Sequence, residues 1–154
     1  MQKERLATWK HVNIEVKARC AEPDRIRTIL KAIGAGFRGT DRQVDTYFKV
    51  SSGRLKLREG LFENALVFYE REDTGGPKQS SVILFQTDKG CVLKDMLIKA
   101  QGVLVVIDKT REIYCIENVK FHIDVVKRPR VVRRDRGHGN QSRRRQEEAS
   151  GSMQ

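Results

Sequence analysis

Ionisable side chains recur at every second position in several short stretches: Glu15 and Lys17; Arg54, Lys56 and Arg58; Lys109 and Arg111; Lys120, His122 and Asp124. A period of two places the members of each set on one face of a strand. Arginine forks grip phosphate oxygens bidentately, lysine adds a point charge, and carboxylates hold a hard divalent cation. Gathered in one place, such groups would bind a compact polyanion and make phosphoryl transfer chiefly a matter of positioning. A plainer reading competes with this one. Each set could be the solvated face of an antiparallel sheet whose other face packs on helices.

The elements that must position these sets follow from hydropathy and turn chemistry. Residues 11–20 alternate strictly, with Val12, Ile14, Val16 and Ala18 on the apolar face of a predicted strand. "EPDRIRTILKAIGAG" predicts a helix that Pro23 opens and Gly34 and Gly36 end, with Ile26, Ile29, Leu30 and Ile33 inward. After a polar link, "VDTYFKV" and "RLKLRE" flank a Ser-Ser-Gly turn at 51–53, which predicts a hairpin. "NALVFYERED" and "SSVILFQT" read as strands around the irregular "DTGGPK" loop. Residues 88–100 read as a helix with Val92, Met96, Leu97 and Ala100 inward. "GVLVVIDKTREIYCI" and "ENVKFHIDVV" supply two further strands that turn near Glu117 and Asn118. The class is α+β with a mainly antiparallel sheet. If the sheet closes into a barrel with its aliphatic faces outside, the charged faces line a lumen wide enough for one ligand. An empty lumen crowded with arginine and lysine repels itself, so it calls for an anion, and a triphosphate fits.

The formal charge of the 154-residue chain is +11, and residues 127–154 contribute +6 of it, nine basic side chains against three acidic. With so few apolar residues that segment reads as a disordered tail, which divides the chain into a domain at 1–127 and a tail at 128–154. Three scattered cysteines without a CxxC pair argue against a disulfide framework or zinc knuckle and favour a reducing, cytoplasmic setting. No stretch approaches the roughly 18 apolar residues of a membrane span. Neither a nucleophile elbow nor P-loop spacing is present. The arginine-rich tail could bind nucleic acid through counterion release, but it lacks interleaved aromatics, and this reading ranks last.

Five pieces in order, "NIEVKAR" (13–19), "DTYFKVSSGRLKLRE" (45–59), "YERED" (69–73), "DKTREIY" (108–114) and "VKFHIDVV" (119–126), resemble the CYTH superfamily. These triphosphate tunnel metalloenzymes include class IV adenylate cyclases, thiamine triphosphatases and inorganic or RNA triphosphatases. The resemblance implies an eight-stranded antiparallel β tunnel with flanking helices, binding a nucleotide, thiamine triphosphate or polyphosphate with Mg2+ or Mn2+. It assigns phosphate contacts to Lys17, Arg54, Lys56, Arg58, Arg71, Lys109, Arg111, Lys120 and His122, metal ligation to Glu15 and Asp124, and catalytic roles to Lys17 and Asp124. The chemistry implied is of phosphohydrolase or adenylate cyclase type; the alternative is a non-catalytic polyanion-binding module. One departure falls in the first strand, where the family's Glu-x-Glu-x-Lys reads Asn13-x-Glu15-x-Lys17. An amide can still coordinate a hard cation through its oxygen, but it brings no charge.

The second departure follows Asp124. The family continues with a strand resembling "GLGxFxExE", whereas this chain reads "KRPRVVRRDRGHGN", with Arg134 and Arg136 where the two glutamates are expected. The tunnel is therefore expected to be incomplete, with an unpaired strand edge. Codons for Arg128 to Asn140 exist that, read one nucleotide later, encode "GLGSFVETEAMAI". A gene-model error or an alternative splice junction would produce such a shift. The expected outcome is that the coding DNA after the Lys127 codon contains that strand one base out of frame. A nucleotide sequence incompatible with it rejects the frame shift.

Overall fold

The computed structural model describes residues 8–71 and 77–131. In chain order the elements are β1 (Thr8–Glu15), α1 (Pro23–Ala32), β2 (Gly36–Phe48), β3 (Arg54–Glu59), β4 (Asn64–Arg71), β5 (Lys78–Gln86), α2 (Leu93–Gln101), β6 (Val103–Ile116), β7 (Val119–Val126) and β8 (Arg130–Val131). All strand pairs are antiparallel, in the order β1-β5-β4-β3-β2-β6-β7. Among the described residues the sheet curls into a half-barrel that is open between β1 and β7. This is the α+β class and the incomplete eight-stranded barrel that the sequence implied.

Two turns show how the chain reverses. Gly53 closes the β2–β3 hairpin at φ 62°, and a Cβ there would meet the Phe68 ring at 2.5 Å, so a side chain at this position is strained and must displace that ring. Glu117, at φ 50°, reverses the chain between β6 and β7. With 14 residues, β6 is long enough to serve β2 along one edge and both β7 and β8 along the other.

The two faces of the sheet carry different chemistry. On the convex face α1 lays Leu30 against Tyr114 and Ile123, with Ala35 and Phe121 alongside. The Arg27 guanidinium fastens α1 to β6 through Glu112, at 2.9 Å to Oε2 and 2.6 Å to Oε1. Further along this face Phe48 and Leu57 are each 2% exposed, and Lys94 of α2 reaches Glu59 of β3 at 2.7 Å. On the concave face Ala65, Val67 and Val82 form an apolar patch with Tyr69 and Leu84, beside which the charged groups gather.

Several expectations need correcting. The first strand ends at Glu15 rather than Cys20, because its last ladder partner is Lys78 and the next residue back, Pro77, has no N–H to donate. Lys17 therefore lies beyond the strand. β2 begins at Gly36, within the stretch read as a polar link, since its alternate residues are polar on both faces. Of the four α1 residues expected inward only Leu30 is buried; Ile26, Ile29 and Ile33 are exposed. A lone helix on a curved sheet touches it along a narrow line. For α2, Val92, Met96 and Ala100 are exposed and Leu97 is half-buried. Arg130 and Val131 pair with Val106 and Val105; the rest of the tail expected from 128 onward, residues 132–154, lies outside the described residues. Among the described residues no helix is long and apolar enough to cross a membrane.

Leu57→Ala is expected to destabilise the protein by about 2–5 kcal/mol, as a buried leucine leaving a cavity does. Ile29→Ala, at a position 46% exposed, should stay within about 0.5 kcal/mol. Urea midpoints of the two variants check the contrast.

Candidate functional site

The concave face of β2, β3, β6 and β7 carries a connected set of ionisable side chains. Asp45 sits at its centre, 1% exposed. In the ladder it faces Arg58 of β3 on one side and Ile107 of β6 on the other. Its Oδ1 accepts from Arg58 Nε at 2.8 Å. Its Oδ2 accepts from Arg58 Nη2 at 2.9 Å, Lys56 Nζ at 3.2 Å and Lys109 Nζ at 3.2 Å. One carboxylate thus holds three cations delivered by two neighbouring strands. Arg58 also donates through Nη1 to Glu63 Oε2 at 3.1 Å. One step along the sheet Arg111 faces Asp124 across β6 and β7, with Nε to Oδ1 at 2.8 Å and Nη2 to Oδ2 at 2.7 Å. Lys109 lies 4.0 Å from Asp124 and links the two groups.

Supporting groups hold this arrangement. Asp41, fully buried, accepts from Gln43 Nε2 at 2.9 Å and from the backbone N–H groups of Leu61 and Phe62 at 2.7 and 3.4 Å. It thereby fixes the loop that carries Glu63. A Cβ on Gly60 would lie 2.7 Å from Asp41 Oδ2, so this close approach requires glycine. Lys56 Nζ lies 5.6 Å from the Tyr47 ring centre and 5.7 Å from that of Tyr69. Arg71 leans over Tyr69 at 5.9 Å, and its buried Nε has no hydrogen-bond partner among the described residues.

Charge and burial compete at each of these groups. Burial pushes the Asp45 carboxyl up, but its hydrogen bonds with Arg58 and the charges of Lys56, Arg58 and Lys109 prevail and hold it well below the usual carboxylate range. Burial and the neighbouring Arg58 charge push Lys56 down to about 8, against the pull of Asp45. Burial likewise lowers Lys109, with Asp45 opposing. Partial desolvation and the Arg111 charge bring His122 down to about 4 despite Asp124 beside it, so the imidazole is neutral at pH 7.

Of the residues singled out in the sequence, Lys56, Arg58, Lys109, Arg111 and Asp124 come together. Lys120 and His122 share their face on β7, where Lys120 is exposed and His122 only partly covered, and Arg54 at the start of β3 is exposed. Glu15, the last residue of β1, pairs with Lys17 just beyond it at 3.4 Å, and β1 and β7 are the two end strands of the described sheet. Asp45, Asp41, Gln43, Tyr47 and Tyr69 were missing from that selection. The signal for three of them was present in "QVDTYF", where Gln43, Asp45 and Tyr47 alternate with Val44, Thr46 and Phe48.

A curled antiparallel sheet with a cationic concave face invites comparison with known families. The family model described as CYTH domain matches residues 11–129. The chain belongs to the CYTH family. CYTH domains form a triphosphate-binding tunnel, and they generally bind divalent metals. Among solved structures this CYTH chain is similar to the PH1012 protein from Pyrococcus horikoshii OT3, with a TM-score of 0.60, 19% identity, and 81% of this chain and 79% of that one covered. It is also similar to a conserved hypothetical protein from Pyrococcus furiosus, with a TM-score of 0.56, 18% identity, and 79% and 72% covered. At these identities the likeness concerns the fold alone. No curated protein matches the chain.

A family metal fits the described residues poorly. No three His, Cys, Asp or Glu side chains among them converge on a point where an ion could sit. Both oxygens of Asp45 and of Asp124 already accept from arginine, the Asp41 oxygens accept from N–H groups, and Glu15 stands on the opposite end strand. No chemical step is therefore assigned to a protein-held metal.

Asp45→Ala leaves three cations without their counter-charge and is expected to cost about 3–5 kcal/mol, read from urea unfolding. Acid provides a second check. The folded pKa of His122, about 4, is below its ordinary 6.5, so between those values the unfolded chain binds the additional proton and stability falls as pH falls. His122→Gln should flatten that limb. The Asp45 contribution is lost only below its ordinary 3.8, and should persist in the His122 variant.

Proposed function

We propose that the concave face of this CYTH domain binds the phosphate chain of a triphosphate-containing small molecule: a nucleotide, thiamine triphosphate or polyphosphate. The observation that carries this reading is the meeting of Lys56, Arg58 and Lys109 on the single carboxylate of Asp45. Buried cations at this density need anionic partners, and a phosphate chain offers several oxygens in one compact ligand. Arg111 and Arg71 extend the surface in both directions along the sheet, and Arg54, Lys120 and His122 offer contacts at its margins. Lys17 stands apart at the far end strand, which suits a phosphate contact less well.

Turnover is the further step. Chemistry of phosphohydrolase or adenylate cyclase type, with Mg2+ or Mn2+, is the enzymatic form of this proposal, with Lys17 and Asp124 as the assigned catalytic groups. The saturated carboxylates favour the second form, a polyanion-binding module that holds its ligand without turning it over. Phosphate release from thiamine triphosphate, ATP and tripolyphosphate, measured with Mg2+ or Mn2+, separates the two. Release well above background establishes the enzyme; binding without release establishes the module.

Titration calorimetry with tripolyphosphate tests binding itself. Arg58→Ala and Lys109→Ala should each weaken it by about tenfold or more, as expected for a lost charge-assisted contact. Affinity should also fall as pH rises through about 8, because Lys56 then loses the proton that the phosphate needs. Lys56→Met should remove this alkaline limb. Unchanged affinity in the Arg58 and Lys109 variants would show that the ligand sits elsewhere.

A further inference from the structure

We propose that the concave face takes its polyphosphate as the free anion, without a divalent cation, and that divalent cations compete with the protein for the ligand. This rests on the reading of the concave face as the phosphate site. It departs from the metal-assisted mode general in the family.

The grounds are the condition of the carboxylates. A protein that binds a metal–triphosphate complex uses uncommitted carboxylate oxygens to complete the cation's shell. Here both carboxylates of the cationic centre are engaged. Asp45 accepts four hydrogen bonds from three cations, and Asp124 accepts the Arg111 fork on both oxygens at 2.7–2.8 Å. A metal at either would displace a charge-assisted bidentate pair and bring a second positive charge against Lys109, which is within 4.0 Å of both carboxylates. Asn13, where the family pattern has a carboxylate, adds no charge at the opposite end of the sheet.

The ligand responds in the opposite way. A divalent cation on a triphosphate occupies several phosphate oxygens and cancels two of its charges. The arginines and lysines have no use for that cation and lose the oxygens it covers. The Arg71 Nε, buried and without a partner among the described residues, is a donor that a bare phosphate oxygen would satisfy. Binding the bare anion therefore pairs more of the cationic face than binding the complex.

The test is calorimetric titration of the full chain with tripolyphosphate, once in EDTA and once in excess Mg2+. Binding is expected in EDTA and should be weaker by about threefold or more in Mg2+, because the complexed ligand carries less charge. In EDTA, Asp124→Asn should tighten binding by about threefold, since it releases the Arg111 fork for phosphate. Binding that appears only with Mg2+, or an Asp124→Asn variant that loses affinity selectively in Mg2+, overturns the metal-free mode and leaves the phosphate site standing. Absence of binding in both buffers overturns the phosphate site and this inference with it.

Discussion

The charge held at Asp45 is the constraint on which the concave face depends. Three ammonium or guanidinium groups cannot share a buried surface unless something offsets their repulsion and replaces their lost water, each of which costs several kcal/mol per ion. β2 lies between β3 and β6, so a carboxylate in its middle is within reach of cations from both neighbours. An aspartate on an end strand would have had one neighbour only. The central position of β2 therefore explains why the charged groups gather on this part of the sheet, while the concave face of β4 and β5 is filled by Ala65, Val67 and Val82.

The same strand ties the site to the stability of the fold. Asp41, Gln43 and Asp45 point to the concave face, whereas Phe48 lies buried on the other. A one-residue change in β2 register would exchange those faces, placing carboxylates under the helices and apolar groups among the cations. The hydrogen bonds of Asp41 to the backbone at Leu61 and Phe62 extend this dependence to the β3–β4 loop and to Glu63. Position of charge and packing of the convex face are thus fixed by one alternation.

Where both faces of a strand differ strongly in polarity, the sequence was sufficient. β3 and β7 alternate leucine, isoleucine or valine with ionisable residues, and their ladder positions agree with that reading. β2 was read too short because its outer positions, Arg38, Thr40 and Arg42, are polar as well. The end of β1 depended on Pro77, more than sixty residues away, which no local pattern reveals. The inward faces of α1 and α2 were overestimated because periodicity shows that a helix has an apolar side, not how much sheet is there to cover it. Asp45 was not among the selected site residues for a related reason. Its role comes from three partners at distances of 11, 13 and 64 residues in sequence, and a single aspartate beside a threonine looks like an ordinary strand residue until the strands are paired.

Anion binding and catalysis have different structural requirements in such a fold. Binding needs cations held by a rigid interior strand, and those come from β3 and β6, which flank β2 at the centre of the sheet. The metal-assisted form of the proposal would also draw on carboxylates from both ends of the sheet, Glu15 on β1 and Asp124 on β7. Among the described residues β1 and β7 remain the two end strands, and Arg130 and Val131 continue along β6 instead of bridging them. Position 13 carries an amide. On the proposed reading an open margin bears on the metal-assisted form alone, because the cationic centre is organised by Asp45 from within the sheet.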